Sequence, residues 1–514
     1  MQSEPSTIMP DNAVAVIGAG PGGLVAGRWL RAHGFEPVIF EASARVGGQW
    51  NSASAASATW PGMRTNTSRI MTAFSDLDHA PSSPVYVTQD DMLDYLERYA
   101  FTLGLLPHLR LSTRVESLER GPDDSWLVRS VAGGRARQEI FRRVIVASGR
   151  HNAPTVPDVP GLDGFGGTLG AIHAAQYNGV ERYRGRKVLV AGCSISALEI
   201  ASELAYGGAA HVTVTNRRQR YVLPKLICGV PTEHVMFNRA SALLGAVASP
   251  EQLAAGFKAK VLGVAGNPAQ FGAPMPDDNI FAAGVTQSQQ FLPAVAEGRI
   301  NVTSWIKRID GRRVLFENGE TFDADGIIFG TGYRLSLPWL GDEVAAAVGL
   351  DEAHIDLHDH TFHPELPGLA FLGLYDLVGP YLPVLELQAR WISYCFAGIR
   401  PAPSKAEMAE GLQRSKAMRA GPPSMPMHVA ALTFARNAGV EPDVQIWPEL
   451  ERALLFGPLS AVSFRLSGPD ALTEAPARTQ CAAAAFGAIT NAEFSAEELA
   501  IRSLIGNGAV STAA

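Results

Sequence analysis

The chain has 514 residues, 46% of them apolar and 18% charged, with 43 Lys and Arg against 50 Asp and Glu for a net charge of −7. That length allows two or three domains with sizeable cores, and the composition is that of an ordinary globular protein, neither disordered nor fibrous. A mildly acidic chain without a basic run argues against nucleic acid or anionic membranes as partners.

The first twelve residues, MQSEPSTIMPDN, carry neither a basic start nor an apolar segment, so no secretory signal is read there. No uninterrupted apolar run approaches the ~18 residues of a membrane span. The expectation is a cytoplasmic protein without a membrane partner. An apolar β-run, Ala13 to Ile17, then breaks into Gly18, Gly20 and Gly23 in GxGxxG spacing and continues as a helical pattern that Gly34 ends. Strand, glycine turn and helix in this order form a dinucleotide-binding unit. Gly18 permits the tight turn, Gly20 lets a pyrophosphate approach, and Gly23 lets helix lie close on strand. The phosphates are expected on the amides of the helix start, around Ala19, Pro21 and Gly22. A second β-run, Pro37 to Phe40, delivers Glu41, about 20 residues beyond the first glycine, where a carboxylate can accept ribose hydroxyls.

Beyond Trp50 a small-residue loop, NSASAASATWPG, leads into Met63 to Leu77, MRTNTSRIMTAFSDL. Thr88 with Asp91 three residues on predicts a helix start, followed by Met92, Tyr95, Leu96, Tyr99 and Leu103 at helical spacing as core packing. β-runs are expected at Arg110 to Val115 and Trp126 to Val131, and Arg143 to Ala147 runs into Ser148-Gly149. The Pro- and Gly-rich stretch His151 to Gly167 marks a domain boundary.

A second strand, turn and helix unit follows: Lys187 to Ala191, GCSISA from Gly192 to Ala197, and a helical pattern ending at Gly207-Gly208. Ser194 and Ala197 replace the second and third glycines, both small, and Ser194 and Ser196 could donate to phosphate oxygens. The next β-run, His211 to Thr215, delivers Asn216, Arg217 and Arg218 instead of an acid. A carboxylate suits a free ribose and arginine a 2′-phosphate, so the first unit reads as an FAD site and the second as an NADPH site. Residues 225 to 295 carry no clear pattern. A strand at Arg299 to Val302, a hairpin turning at Asn318-Gly319, a strand Gly326 to Phe329 running into Gly330-Thr331-Gly332-Tyr333, another at Leu369 to Leu374 and a helix opening at Leu385 to Ile392 are expected next. Beyond Arg400 helical patches give way to a small-residue tail.

Cys193, Cys228, Cys395 and Cys481 are scattered without a CxxC pair, which argues against disulfides, a zinc ribbon or a redox dithiol. Cys193, inside the second turn, reads as a small filler. His354, His358, His360 and His363, with Asp356 and Asp359 among them, match no metal-ligand spacing and read as a solvated turn, so no metal is expected.

The chain resembles the class B flavin-dependent monooxygenases, and within them the flavin-containing monooxygenases. The resemblance runs from about Ala13 to Pro469 through GAGPGG, VGGQW of Val46 to Trp50, TNTSR of Thr65 to Arg69, ASG of Ala147 to Gly149, GCSISA, TGY of Thr331 to Tyr333, LQARW, and LFGPLSAVSFRLSGP of Leu455 to Pro469. It implies an α/β fold of two dinucleotide-binding, Rossmann-like domains with the NADPH domain inserted into the FAD domain, plus a carboxyl-terminal mostly helical segment. The expected division is 1–168 and 336–470 for FAD and the extension, 169–335 for NADPH, and 471–514 for the tail. The linker fingerprint F-x-G-x-x-x-H-x-x-x-Y/F is present as Phe165, Gly167, His173 and Tyr177, but with five residues instead of three between Gly167 and His173. His173 and Tyr177 are therefore left out of the catalytic set.

The resemblance also implies that Ala42, Gly48, Gln49, Trp50, Thr65, Val115, Ser148, Gly149, Gly332 and Gln388 join the cofactor-binding set, and that Asn66 is the catalytic residue beside the flavin ring. On local sequence Asn66 is a turn residue. Beside a flavin, its neutral amide could hold a flavin hydroperoxide without protonating it away. The implied enzyme consumes NADPH and O₂ and oxygenates a soft nucleophile, an amine nitrogen or a thioether sulfur, of a small molecule. The alternatives are a Baeyer–Villiger enzyme acting on ketones and a flavin protein acting only as an NADPH oxidase. The long carboxyl-terminal segment could cover a partner surface in a homodimer.

Overall fold

Two five-stranded parallel sheets, each centred on the strand that precedes a glycine turn, organise the chain in the computed structural model, which describes residues 6–55, 57–421 and 424–512. In the first, the order is Leu369–Phe371, Arg143–Val146, Ala13–Ile17, Glu36–Phe40, Leu109–Arg110. In the second it is Gly170–His173, Gly326–Phe329, Lys187–Ala191, His211–Thr215, Ile300–Thr303. Strands from both ends of the chain build the first sheet and all of the second lies between them, so the second unit is inserted into the first. Both central strands are buried along their apolar residues, as a parallel sheet covered on both faces requires.

Register determines what meets at the carboxyl ends. Ile17 pairs with Phe40 and Val146, which sets Gly18, Glu41 and Ala147 side by side. Ala191 pairs with Thr215 and Phe329, which does the same for Gly192, Asn216 and Gly330. Ligands of open parallel sheets bind outside these ends.

Each unit also carries a three-stranded antiparallel meander, Thr113–Arg120, Trp126–Ala132 and Arg135–Phe141 in the first and Ile306–Asp310, Arg313–Phe316 and Thr321–Asp323 in the second. Here the sequence reading needs a correction. The run expected at Arg110 to Val115 is two strands in different sheets: Leu109–Arg110 closes the parallel sheet and Thr113 opens the meander. Ser112, at φ +50°, makes the turn between them, and the apolar alternation continues through it without a break. The hairpin at Gly319 (φ +88°) forms as expected.

The helix Gln89–Thr102 begins with the expected box: Asp91 N–H donates to the Thr88 hydroxyl (3.1 Å) and Asp91 Oδ2 accepts from Thr88 N–H (3.0 Å). Met92, Tyr95, Leu96 and Tyr99 are fully buried, and the Tyr95 hydroxyl accepts from Phe74 N–H (2.8 Å), tying the Met63–Leu77 loop to the core. The helix Leu382–Phe396 is buried on all sides from Leu382 to Tyr394 because it lies between the helices Pro21–Ala32 and Met427–Ala438. Arg465 joins the carboxyl-terminal segment to this core, donating to Ser75 Oγ (2.6 Å) and Asp76 Oδ1 (3.1 Å), while Arg28 takes the other Asp76 oxygen at 2.6 Å. A charge cluster this enclosed persists only because each member is paired.

Residues 225–295 contain the helices Arg239–Val247 and Pro250–Ala265. The segment expected as a tail is also ordered: Ala475–Ala484 and Ala496–Thr512 are helical, as alanine-rich sequence favours. Arg452 meets Glu498 at 3.1 Å and Arg502 meets Glu451 at 2.6 Å, docking that last helix. Among the described residues no helix is long and apolar enough to cross a membrane.

Candidate functional site

One cleft of about 2010 Å³ runs between the two sheets, and both glycine turns line it. At the first turn Gly18 adopts φ +107°, and a Cβ there would lie 2.6 Å from the Ala147 carbonyl oxygen. A Cβ on Gly23 would lie 1.8 Å from Gly18 O, so the third glycine is needed for helix to rest on strand. The helix Pro21–Ala32 starts at Gly20 without a side-chain cap, which leaves first-turn amides for phosphate oxygens. Glu41 is nearly buried at the cleft wall. Its Oε2 accepts from Ala19 N–H (2.9 Å) and its Oε1 from Ser43 N–H (2.8 Å), and each oxygen keeps acceptor capacity for a ribose hydroxyl.

The second turn reaches the same shape with different residues. Gly192 adopts φ +133°, and its Cβ would meet Gly330 O at 2.4 Å. A Cβ on Gly330 would lie 2.6 Å from the Cβ of Ala197. Close packing thus depends on Gly23 of the helix in the first unit and on Gly330 of the strand end in the second. Ser194 donates its hydroxyl to Gly330 O (3.0 Å), so that proton is not available to a phosphate; Ser196 lines the cleft with its hydroxyl uncommitted among the described residues. Arg217 and Arg218 are exposed at the cleft. The Arg217 guanidinium lies 4.8 Å over the Trp305 ring and Arg218 donates to Ala282 O at 3.1 Å, so both are held with donors still directed outward.

Ala42, Gly48, Gln49, Trp50, Thr65, Asn66, Val115, Ser148, Gly149 and Gly332 also line the cleft. Gly149 (φ +81°) and Gly332 (φ +84°) have only open space where a Cβ would be. Two uncapped helix starts, an acid at one strand end, arginines at the other and glycines cradling the space between fit two dinucleotides end to end.

Asn66 is half-buried, and its amide makes no hydrogen bond to any described residue. Its loop is nevertheless fixed: Thr65 N–H donates to Val87 O (2.9 Å) and Arg69 N–H to Val85 O (2.7 Å). Two further clamps come from the helix Thr232–Met236, in the region where the sequence carried no pattern. Ser68 N–H donates to Glu233 Oε1 at 2.5 Å, and Ser68 Oγ meets His234 Nε2 at 2.9 Å. Burial pushes the Glu233 carboxyl up to about 7 and the His234 imidazole down to about 4. Glu233, Lys225, Tyr86 and Trp305 are cleft residues that the sequence reading missed.

Four expected binding residues sit behind the wall instead of on it: Ala19, Gly23, Ala197 and Gln388. The first three shape the turns. Gln388 is fully buried, accepts from Gly373 N–H (3.0 Å) and donates to Phe371 O (3.0 Å) and Thr361 Oγ1 (2.8 Å); it props the strand end that carries Gly373 into the cleft. His173 meets Gly332 O at 3.0 Å and packs edge-on against Tyr333, while Tyr177 packs edge-on against Trp60. The stretched linker thus braces the TGY segment. Cys193 is buried, with its thiol pushed up by burial. The histidine-rich stretch is a correction to the solvated turn: His358 and His363 are buried and His360 lies against Tyr375. Among the described residues no three His, Cys, Asp or Glu side chains are grouped to hold a metal ion.

The sequence profile of a family described as flavin-binding monooxygenase-like matches residues 11–481. The chain is 30% identical over 482 residues to dimethylaniline monooxygenase [N-oxide-forming] 2 of Rattus norvegicus, covering 89% of each. It is 28% identical over 486 residues to flavin-containing monooxygenase 5 of Oryctolagus cuniculus, covering 90% of each. Among solved structures, S-allyl-L-cysteine S-oxygenase from Allium sativum superposes with TM-score 0.62 at 24% identity, over 83% of this chain and 88% of that one. NADP⁺-bound cyclohexanone monooxygenase from Rhodococcus sp. Phi1 superposes with TM-score 0.63 at 18% identity, over 85% and 98%.

Proposed function

The chain belongs to the flavin-binding monooxygenase-like family and shares its use of FAD and NADPH, and on that premise we propose that it oxygenates the nitrogen of an amine or the sulfur of a thioether in a small molecule. The observation that carries this reading is the single cleft with Glu41 at one strand end and Arg217 and Arg218 at the other. In it, the Gly18–Gly23 turn and Glu41 hold FAD, and the Gly192–Ala197 turn, Arg217 and Arg218 hold NADPH.

Bound together, the cofactors supply two electrons and activate O₂, one oxygen atom passing to substrate and the other leaving as water. The protein's part is geometry. Asn66 presents a neutral amide toward the reacting centre, offering a hydrogen bond without an acidic proton, and the clamps on Ser68 hold it there. Trp50, Trp60 and Tyr381 put aromatic surface on the cleft wall, which disfavours water there. The dimethylaniline and S-allyl-L-cysteine enzymes are named for nitrogen and sulfur oxygenation respectively, which supports a soft nucleophile as substrate. The family resemblance associates ketone oxygenation with His-x-x-x-Trp-Pro, and at that place this chain has His173, Ala174, Ala175, Gln176, Tyr177 and Asn178. A cytoplasmic homodimer without nucleic-acid or membrane partners completes the reading, to be checked by cell fractionation and sedimentation of the purified chain.

The test is turnover of N,N-dimethylbenzylamine, benzyl methyl sulfide and cyclohexanone. Amine or sulfide oxide formed in step with NADPH and O₂ consumption is expected. Lactone from cyclohexanone, or hydrogen peroxide alone with every compound, contradicts the reading.

A further inference from the structure

Glu233 is 1% exposed, yet it lines the cleft. One of its oxygens, Oε1, is occupied by Ser68 N–H. The other, Oε2, is buried and has no hydrogen-bond partner. A carboxylate oxygen in this position costs free energy unless a donor reaches it, and Glu233 is one of the residues that form the cleft wall. The donors near it are committed elsewhere: the Lys225 ammonium is paired with Glu199 at 2.8 Å, and Tyr86 donates its hydroxyl to Lys225 O at 2.5 Å. His234, on the same helix, faces Ser68 and is neutral at pH 7. Ser68 is two residues from Asn66, a span of at most about 7 Å of extended chain, so the unpaired oxygen belongs to a side chain that holds the same loop as the group placed at the reacting centre.

Resting on the oxygenation reading above, we propose that Glu233 is the substrate-recognition residue of the cleft, its free Oε2 accepting the N–H of a protonated amine and so selecting basic amines over thioethers. An ammonium nitrogen has no lone pair to offer an oxygen atom. Passing its proton to Oε2 breaks the N–H bond, forms an O–H bond, frees the lone pair and moves no net electrons. Burial makes this carboxylate a stronger proton acceptor than an exposed one. Burial sets its charge state first, opposed by hydrogen bonds from Ser68 and from its own backbone and by the Lys225 charge; Tyr86 and His234 are the other titratable groups beside it. A thioether brings no N–H and gains nothing from Glu233.

The test compares Glu233→Gln with the wild type as FAD-loaded enzymes at pH 8, using N,N-dimethylbenzylamine and its near-isostere benzyl methyl sulfide. Glutamine keeps an acceptor for Ser68 N–H and removes the charge. The expected result is a loss of about tenfold or more in kcat/KM for the amine, with the sulfide and the KM for NADPH within about threefold. Equal losses for amine and sulfide show that Glu233 only braces the Asn66 loop and overturn the proposal. A raised KM for NADPH with both substrates affected alike assigns Oε2 to the nicotinamide carboxamide and overturns it as well. Equilibrium binding of N,N-dimethylbenzylammonium to the oxidised enzyme, read by flavin absorbance, separates this inference from the oxygenation reading. Should the wild type turn over neither compound, weaker ammonium binding in Glu233→Gln still supports recognition, and unchanged binding overturns it.

Discussion

The two nucleotide units share the order of four of their five strands and the same turn, but they make room for the turn in different ways. In the first, the helix gives way: Gly23 leaves space under Gly18 O while the adjoining strand end carries Ala147. In the second, the helix keeps a methyl at Ala197 and the strand end gives way at Gly330. In the first unit the glycine spares a backbone oxygen and in the second it spares the methyl of Ala197, so the close packing that GxGxxG provides is reached there by a different set of residues. The strand ends differ in sign for a different reason. Glu41 is fastened by two backbone amides at the cleft wall, whereas Arg217 and Arg218 stand exposed at the other strand end.

The largest effect should come from breaking the first arrangement while leaving the second intact. Gly23→Ala forces a methyl to within 1.8 Å of a backbone oxygen and should cost on the order of 3 kcal/mol or more, yielding protein that purifies colourless or unfolded. The mirror change, Ala197→Gly, opens space rather than filling it and should cost about 1 kcal/mol through helix propensity. Flavin content and thermal melts of the pair check this. Next in size is the charge difference. Arg217→Ala with Arg218→Ala removes charge-assisted phosphate contacts worth about 1.5–3 kcal/mol each, so KM for NADPH should rise by about a hundredfold or more while KM for NADH stays nearly unchanged. Glu41→Gln should weaken retention of FAD without altering the NADPH to NADH ratio. The smallest effect is expected at the second turn itself: Ser194→Ala leaves Gly330 O without its donor and should cost about 1 kcal/mol with no change in cofactor preference.

The second unit also carries the pH dependence. Because the folded-state value for Glu233 is raised, to about 7 from an ordinary value of about 4.3, its contribution to stability is fully present below the ordinary value and is lost as pH rises through about 7. Relative to the wild type, Glu233→Gln should therefore be more stable at pH 8 than the same comparison shows at pH 5, as thermal melts across that range would record.

What could be read from the sequence was local. The two turns, Glu41, the arginine pair and the Thr88 box are signals within a few residues, and the structure places each where the chain order implies. What could not be read depends on contacts across the fold. Glu233 and His234 lie in a stretch with no periodicity, and their relation to the loop of Asn66 arises only because a short helix folds back onto Ser68. Gln388 sits in a recognisable segment, but its side chain faces the strand end behind the cleft. The run at Arg110 to Val115 hides a change of sheet, because a left-handed Ser112 carries no sequence mark of its own. The alanine-rich last segment reads as featureless because small residues have helix propensity without an apolar stripe to reveal it.

The central claim is that the acidic and basic half-sites share one cleft so that electrons pass between their ligands. Anaerobic titration of the FAD-loaded protein with NADPH, followed by flavin absorbance, tests it most directly. Bleaching complete at about one equivalent of NADPH, with the half-point moved to much higher concentration in the Arg217→Ala, Arg218→Ala protein, is the expected result. A yellow protein that NADPH leaves unbleached, or one that the double variant bleaches as readily as the wild type, would contradict it.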